Sequence, residues 1–115
     1  MPVDSYPEYR KQLAKGYKGL REEAGDVMQG FATLYKAAMT DGALDSRTKE
    51  LIAVGMGMAS QCEGCIASHV HAAYRAGATR EELIETVGVA IMMMGGPGTV
   101  YATEAYQAID ELGDS

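Results

Sequence analysis

The sequence predicts an all-α fold of about six helices. Apolar residues recur at intervals of three and four through most of the 115-residue chain, and strand-like alternation is not sustained anywhere. Glycine, proline and capping residues divide this pattern into six segments of helical length. The chain has no internal repeat and no low-complexity linker, so we expect a single domain over residues 1–115.

The first two predicted helices occupy the N-terminal third of the chain. The first begins near Pro7, a residue suited to a first helical turn, and runs to about Leu20. The second covers roughly residues 23–40. Its apolar stripe, at helical spacing, consists of Val27, Phe31, Leu34 and Ala38, widened by Met28 and Tyr35.

The third and fourth helices are predicted to form an antiparallel pair. Asp45 or Ser46 can cap the third helix, and only a short turn around residues 60–62 joins it to the fourth. Gly55 and Gly57 lie inside the third helix, where each costs up to ~1 kcal/mol relative to alanine. Close packing against a neighbouring helix is the natural reason to find glycine there.

The last two helices carry more apolar surface than one small chain can bury. Thr79 and Glu82 have capping-box spacing at the start of the fifth helix, Gly95-Gly96 ends it, and Pro97 helps to start the sixth. The fifth helix has an inward face of Leu83, Val87, Ile91 and Met94. It has further apolar residues outside that face, namely Val89, Ala90, Met92 and Met93. A helix that is apolar all round must be buried all round, so we expect an obligate oligomer.

Charge and hydropathy exclude several classes of partner. The formal net charge is −6 and the sequence has no basic cluster, which argues against nucleic acid. Residues 86–103 contain no charge, but Gly95, Gly96, Pro97 and Gly98 interrupt them, so we expect no membrane span. The N-terminal sequence MPVDSYPEYRKQ does not resemble a secretory signal, and we expect a cytoplasmic protein.

The stretch SQCEGCIASHVH, residues 60–71, contains every cysteine and histidine of the chain. On a helix Cys62 and Cys65 share one face, with Cα atoms about 5–6 Å apart, a separation that a disulfide accepts. His69 lies one turn beyond Cys65 on the same face. His71 points to roughly the opposite side, so we expect it to pack at the surface or at an interface.

The antiparallel pairing recruits one more residue, Glu50. At ~1.5 Å per residue, Glu50 lies roughly level with His69, to within a turn. A carboxylate, an imidazole and a thiol then follow one another, which is an arrangement that activates a thiol. The N-terminus of the fourth helix adds positive potential that favours the thiolate. This potential does not choose between the cysteines, whereas His69 favours Cys65.

Other readings of the cluster remain open from the residues alone. Cys62, Cys65, His69 and Glu50 could supply four zinc ligands, although no second Cys/His pair exists elsewhere. A purely structural cysteine pair is also compatible, but it leaves His69 and Glu50 unexplained. A c-type haem site needs histidine in place of Ile66, and an iron-sulfur cluster needs four cysteines. A thioredoxin fold needs a strand before the pair, where a helix is predicted.

Residues 43–102 resemble the core of the carboxymuconolactone decarboxylase superfamily, and most closely its AhpD-like alkylhydroperoxidase branch. The matching elements are Leu44-Asp45, Glu50-Leu51-Ile52, Cys62, Cys65 and His69, Ala76-Gly77-Ala78 followed by acids, and the Gly-Gly-Pro turn. The resemblance implies an all-helical fold that assembles as trimers or hexamers. One position departs from the branch: Gly64 stands where well-known members have a histidine.

The resemblance also implies an activity, that of a thiol-dependent peroxidase or disulfide oxidoreductase in antioxidant defence. Cys65 would attack a hydroperoxide or a disulfide, Cys62 would resolve the product, and His69 and Glu50 would relay protons. A dithiol, which could be lipoyl-linked, would restore the pair, and no metal or other cofactor is expected. The alternatives are a decarboxylase or lyase acting on a small lactone acid, and a non-enzymatic zinc-binding oligomer.

Overall fold

Six helices make up the fold of residues 2–113, the part of the chain that the structure, a computed structural model, describes. Within those residues no strand is present, so the predicted all-α class is confirmed. In chain order the helices are α1 (Tyr6–Glu23), α2 (Gly25–Met39), α3 (Ser46–Ala59), α4 (Glu63–Arg75), α5 (Arg80–Met94) and α6 (Gly96–Leu112).

Short polar side chains fix where several helices begin. The Ser5 side chain accepts the Glu8 amide, so α1 starts at Tyr6, and its end at Glu23 is later than predicted. Asp45 caps α3 as expected. Its carboxylate accepts the Thr48 amide at 2.8 Å. The predicted capping box at the start of α5 is also confirmed, with reciprocal hydrogen bonds between the residue pair Thr79 and Glu82.

The hydrophobic core lies among the last four helices. α3 and α4 make the most extensive contact in the molecule, and α5 and α6 pack against them. Alanine occupies several fully buried positions on α4 and α6, which lets these helix axes approach closely. The larger side chains of the core are Val54, Met58, Ile66, Val70, Leu83, Val87, Ile109 and Leu112.

The helix α1 is attached to α6 by polar contacts at its first turn. Tyr6 is fully buried, and its phenol donates to Glu104 at 2.8 Å. Its backbone amide donates to Glu111 at 2.7 Å. Burial, and then the hydrogen bond to Glu104, raise the pKa of Tyr6 far above its usual value, so the phenol remains a donor.

The apolar stripe predicted for α2 exists, but it does not face a core. No residue of α2 is buried, and the largest side chains of the stripe are mostly exposed. The helix packs mainly against α1 and touches α3 only slightly, and the core lies among the four helices that follow it. An exposed apolar row of this size is typical of a surface that another molecule covers.

The two faces of α5 differ from the prediction at one residue. Ala90 belongs to the buried face and lies next to Gly98 of α6, whereas Val89, Met92 and Met93 lie outside that face, as predicted, and are exposed in the single chain. The uncharged stretch 86–103 is broken at Gly95, a residue with positive φ. Among the described residues, no helix is both long enough and apolar enough to cross a bilayer.

Candidate functional site

A tight turn brings α3 and α4 together in antiparallel orientation. Gln61 adopts a positive φ of 54°, and the Cys62 amide donates back to the Gly57 carbonyl at 3.0 Å. Across the turn, Gly57 of α3 lies directly against Cys65 of α4. A Cβ atom on Gly57 would come within 3.1 Å of the Cys65 Cβ, so the close packing predicted at this glycine is confirmed. Gly55 has only an ordinary contact with Thr86, so the same expectation was wrong there.

The two cysteines form a disulfide at the start of α4. Their Cα atoms are 5.2 Å apart, within the range expected from helical spacing. Cys62 is the N-cap of the helix rather than part of it, and its sulfur accepts the Cys65 amide at 3.1 Å. The sulfur of Cys62 therefore lies at the positive end of the helix dipole. In the reduced protein this environment favours a thiolate.

The predicted alignment of Glu50 with His69 is present. Glu50 is 5% exposed, and its Oε1 atom lies 2.8 Å from His69 Nδ1. A carboxylate at Nδ1 favours the tautomer with hydrogen on that nitrogen, which leaves Nε2 free to accept a proton. In this disulfide form His69 makes no hydrogen bond to either sulfur within the described part of the chain. The structure thus joins the carboxylate to the imidazole and leaves the imidazole one turn from Cys65.

Sequence reasoning missed the part that Tyr35 plays. Its phenol donates to Glu50 Oε2 at 2.5 Å, and its ring stacks on His69 with centroids 6.1 Å apart. Burial and then the hydrogen bond to Glu50 raise the pKa of Tyr35 well above its usual value, so the phenol stays protonated. The only signal in the sequence was its place beside the apolar stripe of α2, which does not predict a polar contact.

A surface cavity of about 390 Å³ opens over the disulfide. Its floor comes from the first two turns of α4, and its walls come from α1 and α2. Most of the surface is apolar, with one guanidinium group on the α1 side. The lining residues are Tyr17, Arg21, Met28, Phe31, Ala32, Tyr35, Cys62, Gly64, Cys65, Ser68 and His69.

Gly64 and His71 both face α1. A Cβ atom on Gly64 would lie 3.5 Å from the Tyr9 hydroxyl and 3.6 Å from Leu13, so α1 occupies the space on that side. His71 is half-buried away from the disulfide, as predicted, and its Nδ1 atom is buried without a hydrogen-bond partner. Burial, and then the nearby Arg10 and Arg75, lower the pKa of His71, which therefore stays neutral.

The four residues of the zinc interpretation are engaged with one another or with Tyr35 in this disulfide form. Among residues 2–113, no group of three or more His, Cys, Asp and Glu side chains is arranged to hold a metal ion. Cys62 and Cys65 are bonded to each other, and Glu50 directs one oxygen to His69 and the other to Tyr35.

The fold is all-helical, and its site combines a cysteine pair at the N-terminus of α4 with the hydrogen-bonded residues Glu50 and His69. Residues 25–108 match the sequence profile of the carboxymuconolactone decarboxylase family. That match covers most of the chain, and the protein belongs to this family.

Relatives and solved structures agree with this assignment. The chain is 44% identical over 86 residues to an uncharacterized protein of the cox locus of Paracoccus denitrificans, covering 75% of this chain and 78% of that protein. An uncharacterized protein of Cupriavidus necator is 37% identical over 101 residues, covering 88% of this chain and 89% of the relative.

Two solved structures of this family share the fold. A family member from Legionella pneumophila, solved in its apo form, superposes with a TM-score of 0.91 at 43% identity, covering 96% of this chain and 99% of that one. A family member from Thermotoga maritima superposes with a TM-score of 0.76 at 25% identity, covering 95% and 90%. The Thermotoga protein is described as a candidate participant in an antioxidative response.

Proposed function

We propose that this protein is a thiol-dependent peroxidase or disulfide oxidoreductase of the AhpD-like type. The observation that carries the proposal is the Cys62–Cys65 disulfide on the floor of a cavity that His69 also lines, with Glu50 bound behind the imidazole. A disulfide between residues three apart is easily formed and broken, and the Glu–His pair supplies the proton transfer that such a cycle needs.

The oxidative half of the cycle begins at Cys65. Nε2 of His69 accepts the thiol proton, and Glu50 stabilises the imidazolium that results. The Cys65 thiolate attacks the terminal oxygen of a hydroperoxide, the O–O bond breaks, and the alkoxide leaves as an alcohol after taking up a proton. Cys65 is then a sulfenic acid. The Cys62 thiolate attacks its sulfur, water is released, and the disulfide forms.

The reductive half consumes a dithiol. One thiolate of the donor attacks the disulfide to give a mixed disulfide, and its second thiol displaces the protein sulfur. The sum of the two halves converts a hydroperoxide and a dithiol into an alcohol, water and a disulfide. A lipoyl-linked dithiol fits this requirement, because its two thiols close a ring when they are oxidised. A protein disulfide could enter the same cycle in place of the hydroperoxide.

The walls of the cavity favour organic over inorganic hydroperoxides. Met28, Phe31 and Ala32 present apolar surface from α2 above the disulfide. An alkyl group that covers these side chains removes apolar area from water, which stabilises the complex by about 25 cal/mol per Å² buried. Hydrogen peroxide has no such group, so we expect a higher KM for it.

We further propose that the protein acts in the cytoplasm as a homo-oligomer, a trimer or hexamer. The exposed apolar residues of α2 and of the outer face of α5 support self-association, because single chains rarely expose so many large apolar side chains in rows. A reducing cytoplasm supports a cysteine pair that cycles rather than one that remains a permanent cross-link.

Two serine variants test the proposal. With a dithiol donor and an organic hydroperoxide, Cys65→Ser abolishes turnover, because the thiol that His69 deprotonates for attack on the peroxide is lost. Without the donor, Cys62→Ser consumes one equivalent of hydroperoxide and stops, with a sulfenic acid at Cys65 that a dimedone probe traps. His71→Gln, outside the cavity, is the matched control and keeps turnover. Full activity in Cys65→Ser contradicts the proposed mechanism.

Thiol alkylation separates this function from the two alternatives. If activity on a small lactone acid survives complete alkylation of both cysteines, a decarboxylase or lyase is favoured instead. If protein purified without added metal contains one zinc per chain, the pair is a metal site and the redox cycle is wrong.

A further inference from the structure

We infer that Tyr35 is a positioning residue of the thiol site. The phenol of Tyr35 holds the Glu50 carboxylate in the orientation that allows its hydrogen bond to His69. This inference rests on the proposed function for its catalytic consequence, while the contacts themselves are observed. Tyr35 reaches the site from α2, a helix that contributes no residue to the core.

Each oxygen of the Glu50 carboxylate has one partner, and the partners come from different helices. Oε2 accepts from the Tyr35 phenol at 2.5 Å, and Oε1 lies 2.8 Å from His69 Nδ1. Because Glu50 is 5% exposed, water cannot readily replace either partner. Loss of the phenol therefore leaves a buried carboxylate oxygen unpaired and lets the carboxylate rotate away from His69.

The ring of Tyr35 constrains the imidazole as well. The two rings stack with an interplanar angle of 17° and centroids 6.1 Å apart. Tyr35 thus touches both members of the pair, the carboxylate through its hydroxyl and the imidazole through its ring. Replacement by phenylalanine keeps the stacking and removes only the hydrogen bond, so this substitution isolates the contact with Glu50.

No charged side chain takes the place of the Tyr35 phenol as a hydrogen-bond partner of Glu50 within the described residues. Among the described residues, the side chains hydrogen-bonded to the carboxylate are Tyr35 from α2 and His69 from α4. On α3 itself, Arg47 pairs with Glu82 of α5 and with Asp45, and Lys49 donates to the Thr40 carbonyl at 2.7 Å. The orientation of the Glu50 carboxylate therefore depends on its two hydrogen-bond partners.

A structural role must be distinguished from a positioning role. The Tyr35–Glu50 bond joins α2 to α3, so it also tethers α2. A mere tether affects stability alone. A positioning residue also changes proton transfer, because without the phenol the Glu50 carboxylate rotates away from His69 and no longer stabilises an imidazolium there.

The test compares Tyr35→Phe with Tyr6→Phe. The second variant deletes a phenol–carboxylate hydrogen bond of the same kind, Tyr6 to Glu104, which joins α1 to α6 outside the cavity. Histidine titration by NMR is read in both, and the chain has only two histidines, so His71 is an internal reference. The alkylation rate of Cys65 against pH is read in the reduced proteins.

The expected result is specific to Tyr35→Phe. The His69 titration moves to lower pH, His71 stays unchanged, and Cys65 alkylation at pH 7 falls about threefold to tenfold. Tyr6→Phe changes neither titration nor alkylation. The double variant Tyr35→Phe/Glu50→Gln matches Glu50→Gln alone in both readouts, because Tyr35 acts through the carboxylate.

Two outcomes overturn the inference. In one, Tyr35→Phe lowers stability but leaves His69 and the alkylation profile as in the wild type, which makes Tyr35 a tether. In the other, Tyr35→Phe still shifts both readouts in the Glu50→Gln background, which rules out action through Glu50. If the wild type reduces no hydroperoxide, the proposed function fails, while the His69 titration still decides the role of Tyr35.

Discussion

Replacing Gly57 by alanine tests whether the close approach of α3 and α4 positions the thiol site. The new Cβ would lie 3.1 Å from the Cys65 Cβ and 3.4 Å from the Ile66 amide nitrogen. Carbon atoms in contact lie about 3.5–4.0 Å apart, so the helices must separate by at least about 0.4 Å. Neither neighbouring atom belongs to a flexible side-chain end that could turn aside.

Two opposing terms set the size of the effect. Alanine stabilises a helix interior by about 1 kcal/mol relative to glycine. An added methyl group in a close-packed contact costs about 1–3 kcal/mol. Gly16→Ala on α1 isolates the first term, because nothing lies within 4 Å of the Cβ added there. The difference between the two variants is therefore the steric cost alone.

The assay is thermal unfolding of both oxidised variants, followed by circular dichroism at one protein concentration, since self-association would make the midpoint depend on concentration. For a chain of this size 1 kcal/mol corresponds to a shift of about 4 °C. We expect Gly57→Ala to melt at least about 4 °C below Gly16→Ala and to react more slowly with hydroperoxide when reduced. Equal melting temperatures would refute the argument that Gly57 sets the spacing of the pair.

Three further predictions concern the N-cap of α3, the packing of α6 and the role of His71. Asp45→Asn lowers the melting temperature at pH 7, because the hydrogen bonds to Thr48 stabilise the ionised carboxylate and lower the pKa of Asp45. In a pH series, this loss of stability is present above the unfolded pKa of about 3.9. It disappears as the pH falls through the lower pKa of the folded state. Gly98→Ala destabilises more than any exposed Gly→Ala change, by about 1–3 kcal/mol in urea unfolding, because its Cβ would lie 2.8 Å from that of Met94. His71→Gln leaves the pH profile of Cys65 alkylation unchanged; a shift in that profile would place His71 within the relay.

Local signals in the sequence predicted most of the fold. The caps at Asp45 and Thr79, the break at Gly95 and the buried stripe of α4 all follow from residues close together in the chain. The position of α2 did not follow in this way. Its apolar stripe has helical spacing, but this spacing does not predict whether the protein's own core or another molecule covers the stripe. In the structure the stripe is exposed.

At the candidate site too, residues close together in the chain were predictable, whereas a contact from a distant helix was not. Cys62, Cys65 and His69 lie within two turns, and the short turn before them fixes where Glu50 falls, so helical geometry sufficed to align them. Tyr35 comes from a different helix, and its hydrogen bond to Glu50 depends on how α2 sits on α3. Residue spacing carries no information about that docking angle.

Counting thiols tests the central claim most directly. Fully reduced protein has two thiols per chain, and one equivalent of an organic hydroperoxide is added in the absence of any donor. The account predicts that both thiols disappear, one alcohol forms per chain, and peptide mapping finds a Cys62–Cys65 disulfide that a dithiol reduces again. Two thiols that persist beside unreacted hydroperoxide would contradict it.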